Sequence, residues 1–134
     1  MSSIFTMIIN GAIDSRTLYA DDTCVSFLDV RPLAPGHALV VPRVEVDQWT
    51  DLDSEVAEHL MSVAQRVGQA QMAVFAPARI GLMIAGFEVP HTHLHVVPMN
   101  SMAQLDFANA DHSPDNAVLD EHQAALRAEL GESI

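Results

Sequence analysis

The chain reads as an α+β protein: short strands laid out as an antiparallel meander, one long helix in the middle and a second helix near the end. Three observations carry that reading. His91, His93 and His95 alternate with Thr92, Leu94 and Val96, the period-two pattern of a half-buried strand. Val56, Leu60, Val63, Val67, Ala70 and Val74 recur at steps of three and four, the period of an amphipathic helix of about five turns. The other β-prone runs follow one another without regular helical crossovers, which argues against a doubly wound parallel sheet.

The elements follow in order. Residues 3–10 form a short helix or turn, ended by Asn10-Gly11. Residues 17–20 and 23–28 are β-prone runs joined at Asp21-Asp22, the pattern of a hairpin. Pro32, Pro35 and Gly36 mark a loop, and residues 38–41 are an apolar strand closed by Pro42. Asp53 or Ser54 caps the long helix, and the acidic residues Asp47, Asp51, Asp53 and Glu55 suit the positive end of its dipole. Residues 80–85 are the next strand and 92–97 the histidine strand. Residues 100–114 are polar and irregular. Leu119, Leu126 and Leu130 then give a last helix, stopped by Gly131.

A length of 134 residues suits one domain with a single core, and 49% apolar residues suit a water-soluble one. No apolar run reaches bilayer length, and no basic region precedes an apolar stretch at the start, so neither a membrane span nor a signal peptide is expected. Cys24 is the sole cysteine and cannot form an internal disulfide; it is expected to pack as a small apolar residue. These features point to the cytoplasm. The net charge is −12, all six basic residues are arginine and lysine is absent. That disfavours a nucleic-acid surface and removes any lysine nucleophile. A small phosphorylated ligand would depend on local donors: imidazoles and backbone N–H groups.

The histidines carry the chemistry. In a strand all three imidazoles share one face, neighbours separated by roughly 6.6 Å. Such a row serves acid–base work, nucleophilic attack or metal binding. If the Nδ1–H of the central His93 is held by a backbone carbonyl, its Nε2 is a free lone pair and a nucleophile toward phosphorus. His59, His112 and His122 lie outside the row and are expected to be solvated or capping residues.

The segment His91-Thr92-His93-Leu94-His95-Val96-Val97-Pro98 resembles the signature of the histidine triad (HIT) nucleotide hydrolases and transferases, in particular their Hint-like bacterial members. The likeness extends to residues 4–11, to the block 27–42 containing Pro35-Gly36-His37, and to Gly86-Phe87-Glu88-Val89-Pro90 before the triad, and so covers about residues 3–100. It implies one HIT domain over 1–134, with a C-terminal extension from about 101 to 134. It implies that His93 is the nucleophile forming a nucleotidyl-histidine intermediate, that His95 contacts the reacting phosphate and leaving group, that His91 orients the nucleophile, and that His37 joins the cluster. Asp29 would hold the ribose hydroxyls, which a carboxylate suits because it accepts two hydrogen bonds. Ile4, Phe5, Ile8, Phe27, Val30 and Leu39 would line the purine pocket. The expected activity is hydrolysis at the α-phosphate of a purine nucleotide, foremost a nucleoside 5′-phosphoramidate such as AMP bonded to an amine. The ligand would be AMP-like, the assembly a homodimer, and neither metal nor cofactor would be required.

Three departures from the family stand out. Ser3 and Thr6 occupy the positions of a Cys-x-x-Cys that helps to hold structural zinc in many bacterial members, so that zinc is not expected. The stretch before the triad is short and lacks an asparagine. Phe87 replaces a common glutamine, while Glu88 lies where the family has a small hydroxyl or a glutamate. Other readings stay open: a dinucleoside polyphosphate hydrolase or nucleotidyl transferase, a metal-binding protein using the histidines, and a nucleotide-binding module without turnover.

Overall fold

The computed structural model describes residues 2–131. Ile4–Ile9 form α1, followed by the strands β1 (Thr17–Ala20), β2 (Cys24–Leu28) and β3 (Ala38–Pro42). The long helix α2 (Ser54–Phe75) comes next, then β4 (Arg79–Met83), β5 (Leu94–Met99) and α3 (Asn116–Leu130). The five strands form one antiparallel sheet in the order β1-β2-β3-β5-β4. The meander holds for β1 to β3; α2 then carries the chain to the far edge, and β5 returns into the gap between β3 and β4.

Local chemistry explains the joints. The β1–β2 turn closes because Asp21 Oδ1 accepts the N–H groups of Thr23 and Cys24, both at 2.8 Å. Asp53 is the N-cap residue of α2, without a side-chain cap bond, and α2 ends at Ala76 in a left-handed conformation. Asp115 caps α3 through the Ala117 N–H, and Gly131 stops it at φ 70°.

The sheet separates two apolar layers. Leu18, Cys24, Leu28, Ala38, Val40, Leu94 and Val96 face α2 and α3, where Leu60, Val63, Val67 and Leu126 close the main core. Phe5, Val25, Phe27, Leu39 and Val41 cluster separately, with Ile8 and Ile9 of α1 packed against them. Gln71 of α2 is fully buried and donates to the carbonyls of Gly36 at 2.9 Å and Val96 at 2.8 Å. It thereby ties the long helix to the loop before His37 and to β5.

Several strand boundaries differ from the sequence reading, most of all around the histidines. β5 begins at Leu94 rather than at residue 92, because the backbone before it is held elsewhere: His91 N–H donates to Val89 and Thr92 N–H to Val46. β4 accordingly ends at Met83, opposite His95, and residues 84 and 85 leave the sheet. At its other end β5 runs through Pro98 to Met99. Pairing with β3 stops at Val96, so the proline has a strand on one side only. Two of the outlying histidines are not simply solvated. His59 reaches Asp21 across 2.6 Å, tying α2 to the hairpin, and His122 meets the Phe75 ring edge-on at 5.0 Å.

Candidate active site

The site lies on the sheet face away from α2. Leu94 and Val96 point into the main core, so His95 between them faces the other way, paired across the sheet with Leu39. His91 and His93 precede the strand, yet their rings continue the row. Phe5 contacts both, at 6.0 and 4.9 Å between centroids; His93 lies 4.9 Å from His95, and His95 5.2 Å from His37. All four histidines are buried.

Hydrogen bonds fix the tautomers of the neutral rings. Leu33 N–H donates to His37 Nδ1 at 3.0 Å, so the His37 proton is on Nε2. That Nε2–H donates to His95 Nδ1 at 3.0 Å, so the His95 proton is on its own Nε2. Among the described residues, His95 Nε2 has no partner; Glu88 Oε1 lies 3.8 Å away, beyond hydrogen-bond reach. His93 Nδ1–H donates to the His91 carbonyl at 2.7 Å, which leaves the His93 Nε2 lone pair free. His91 Nε2–H donates to the Pro42 carbonyl at 2.7 Å, and Ser3 Oγ–H donates to His91 Nδ1 at 2.7 Å. A lone pair on one ring thus sits beside an unsatisfied donor on the next.

Burial keeps three of these rings neutral. It pushes His95 down to about 3, helped by His37 and His93, and His37 down to about 4, helped by His93. His91 is lowered too, chiefly by burial, against the opposing pull of the Pro42 carbonyl and Glu45. Burial also raises the Asp29 carboxyl, although the Arg31 N–H on its Oδ1 acts the other way. Asp29 Oδ2 points at the histidine pair, 3.6 Å from His37 Nε2 and 4.0 Å from His95 Nδ1.

The apolar residues divide. Phe5, Phe27 and Leu39 are buried together beneath the histidine row, with Ile8 at their edge. Ile4 and Val30 are exposed at the surface and belong to neither apolar layer. Three further residues join the cluster, in which the sequence reading gave them no part: Phe107 and Glu45, distant in the chain, and Glu88, close to the triad. Phe107 meets the His95 ring at 5.0 Å. Glu45 accepts from Ser3 N–H and Thr6 Oγ–H, both at 2.6 Å, and so braces the serine that holds His91. Glu88 stands over His93 and His95. No local pattern announces these three; the position of Glu88 three residues before His91 was the one available hint.

Three groups among the described residues bring three metal-type ligand atoms within 4.8 Å: Asp21, Cys24 and His59; Asp29, His37 and His95; and Glu88, His93 and His95. In the first, Asp21 already accepts from Tyr19 and two backbone N–H groups, and burial foremost pushes the Cys24 thiol up to about 12. At the positions of the Cys-x-x-Cys found in many bacterial members of the family it resembles, Ser3 and Thr6 present hydroxyls engaged with His91 and Glu45. That donor set does not suit a zinc ion.

Residues 10–102 match the family described as HIT domain. A HIT-like protein of Borreliella burgdorferi is 34% identical over 102 residues, covering 71% of this chain and 73% of its own length. The bifunctional bis(5'-adenosyl)-triphosphatase/adenylylsulfatase FHIT of Arabidopsis thaliana is 34% identical over 124 residues, 88% of this chain and 66% of that protein. The crystal structure of a Zn-bound histidine triad family protein from Mycobacterium smegmatis superposes with a TM-score of 0.83 at 30% identity, over 98% of this chain and 94% of that one.

Proposed function

The chain belongs to the HIT domain family, and on that premise we propose that it hydrolyses purine nucleoside 5′-phosphoramidates, AMP joined through phosphorus to an amine. The observation that carries the reading is the pairing of tautomers: a free lone pair on His93 Nε2 beside an unpartnered N–H on His95 Nε2. His93 Nε2 attacks the α-phosphorus, and the P–N electron pair departs with the amine nitrogen, which takes a proton from solvent. The His95 N–H donates to a phosphoryl oxygen as charge builds there. Water then attacks the nucleotidyl-histidine, the new P–N bond breaks back to His93, and the water proton passes to solvent. His91 orients the nucleophile through its carbonyl, and His37 sets the His95 tautomer.

The purine would lie over Phe5, Phe27 and Leu39 between the exposed Ile4 and Val30, with Ile8 beside them. Asp29 Oδ2, free of backbone bonds, would accept the ribose hydroxyls. Asp29→Ala is expected to weaken ribonucleotide binding about tenfold or more while changing 2′-deoxyribonucleotide binding much less, consistent with losing charge-assisted hydrogen bonds. Equal weakening in a calorimetric titration of both would make the residue structural only.

A second reading, hydrolysis of dinucleoside polyphosphates, takes its support from the name of the Arabidopsis relative. A panel of AMP-amides and diadenosine polyphosphates, followed by phosphorus NMR, separates the two; AMP-amides are expected to be cleaved faster. Binding without turnover of any of them would leave a nucleotide-binding module.

The same reading includes a homodimer. β4 is an edge strand, and beside it runs a groove of about 440 Å³ lined by Met61, Gly68, Met72, Ile80 and Leu82. Met61 is 55% exposed, Met72 43% and Leu82 40%, an apolar surface that a two-fold contact would cover. Sedimentation at micromolar concentration is expected to give about twice the 14.5 kDa chain mass, and Leu82→Arg to shift it to the monomer. Leu82 lies on the α2 side of the sheet, so the nucleotide site should survive that change. A monomeric wild type would end the assignment. No helix among the described residues is long and apolar enough to cross a membrane.

A further inference from the structure

His95 is flanked by carboxylates at both ring nitrogens: Asp29 Oδ2 lies 4.0 Å from Nδ1, and Glu88 Oε1 3.8 Å from Nε2. The Asp29 side chain is 17% exposed, with Oδ1 held by the Arg31 N–H, whereas the Glu88 side chain is 43% exposed. Glu88 therefore faces the reacting nitrogens on one side and solvent on the other. Its carboxylate, the His93 ring nitrogen and the His95 ring nitrogen all lie within 4.8 Å of one another. The His95 Nε2–H it stands over is buried and, among the described residues, unpartnered, a donor left for a ligand atom.

A phosphorus at an attack distance of about 3 Å from His93 Nε2 would sit beside this carboxylate. Anything attached to that phosphorus on the open side then feels a negative charge. Little counters it. Arg16 is bound to Asp120, Arg43 to the Asp21 carbonyl, Arg66 lies over Tyr19, Arg79 pairs with Met99 at the end of β4 away from His95, and Arg127 sits in the last turn of α3. Arg31 lies on the Asp29 side. The whole chain carries a net charge of −12 with no lysine.

Resting on the phosphoramidate reading, we propose that Glu88 makes the leaving-group side of the site a subsite for an amine that carries a second positive charge, and a barrier to leaving groups that carry negative charge. A diamine fits this chemistry: one nitrogen is bonded to phosphorus, and the other, an ammonium, is held by the Glu88 carboxylate. An amino acid joined through its amine, with its carboxylate free, does not fit.

Three AMP-amides of matched length provide the test: butylamine, 1,4-diaminobutane and 4-aminobutanoate as the amine. kcat/KM is measured for the wild type and Glu88→Gln, and Kd is measured on His93→Ala and on His93→Ala with Glu88→Gln. The diamine is expected to exceed the neutral amide, and the neutral amide the carboxylate, by about tenfold each, the scale of one charge pair near a protein surface. Glu88→Gln should bring the three to within a factor of about three, and added salt should shrink the wild-type preference. A merely structural role for Glu88 would lower all three together and leave their ratios intact; that result overturns the subsite. If the three amides bind with the expected order but none is cleaved, the hydrolytic reading fails and the subsite stands. If none binds, both fall.

Discussion

Replacing His93 with alanine is expected to lower AMP-amide turnover by at least about three orders of magnitude, the loss seen when one member of a cooperating catalytic set is removed. The expectation follows from the ring's position. Its Nδ1 proton is committed to the His91 carbonyl, so its one lone pair is aimed at the site. No neighbour can replace it: His95 presents a proton from Nε2, His37 is turned toward His95, and His91 is held between Pro42 and Ser3. Fold and nucleotide binding should persist, because Phe5 keeps its contacts with Phe27 and His91. Rapid acid-free quenching of the wild type should trap a nucleotide on the peptide containing His93. A variant within about tenfold of the wild-type rate would end the mechanism.

Acidification from pH 7 to about 4.5 is expected to remove on the order of 3 to 5 kcal/mol of folding stability, a large part of what a domain of this size has. The unfolded rings of His37 and His95 take up protons near 6.5, but the folded ones do so only near 4 and 3. Between those values the unfolded chain holds more protons. The stabilisation is therefore complete above about 6.5 and is lost as pH falls through the window. Asp29 works in the opposite sense: its folded carboxyl is raised, so it protonates earlier in the native state and offsets part of the loss. Urea midpoints across this range should fall steadily with pH. A flat profile would mean that the histidine pair is not held neutral by burial.

Much of this architecture is legible in local sequence because local chemistry builds it. Asp21-Asp22 makes a hairpin through side-chain acceptance of the next two amides, and the three-four spacing from Val56 to Val74 gives α2. The histidine spacing correctly brings the rings into one row, but it misplaces the start of the strand by two residues. Alternation fixes which way side chains point; hydrogen-bond partners decide whether the backbone belongs to a sheet, and those of His91 and Thr92 are Val89 and Val46. The brace of Ser3, Thr6 and Glu45 behind His91 joins residues about 40 and 90 positions apart, and periodicity carries no information about such pairs. Ile4 and Val30 illustrate a further limit: an apolar letter does not say whether the side chain enters a core or stays at the surface.

Cys24 has a use unrelated to chemistry at the triad. It is the chain's sole thiol, fully buried in β2, and burial holds it protonated up to about 12. A maleimide or disulfide reagent can therefore react only with molecules in which the β1–β2 hairpin has opened. The native protein carries its own clock: the rate of labelling at fixed reagent concentration reports how often that corner opens. Comparing the rate with and without bound nucleotide would show whether ligand on one face of the sheet quiets breathing on the other.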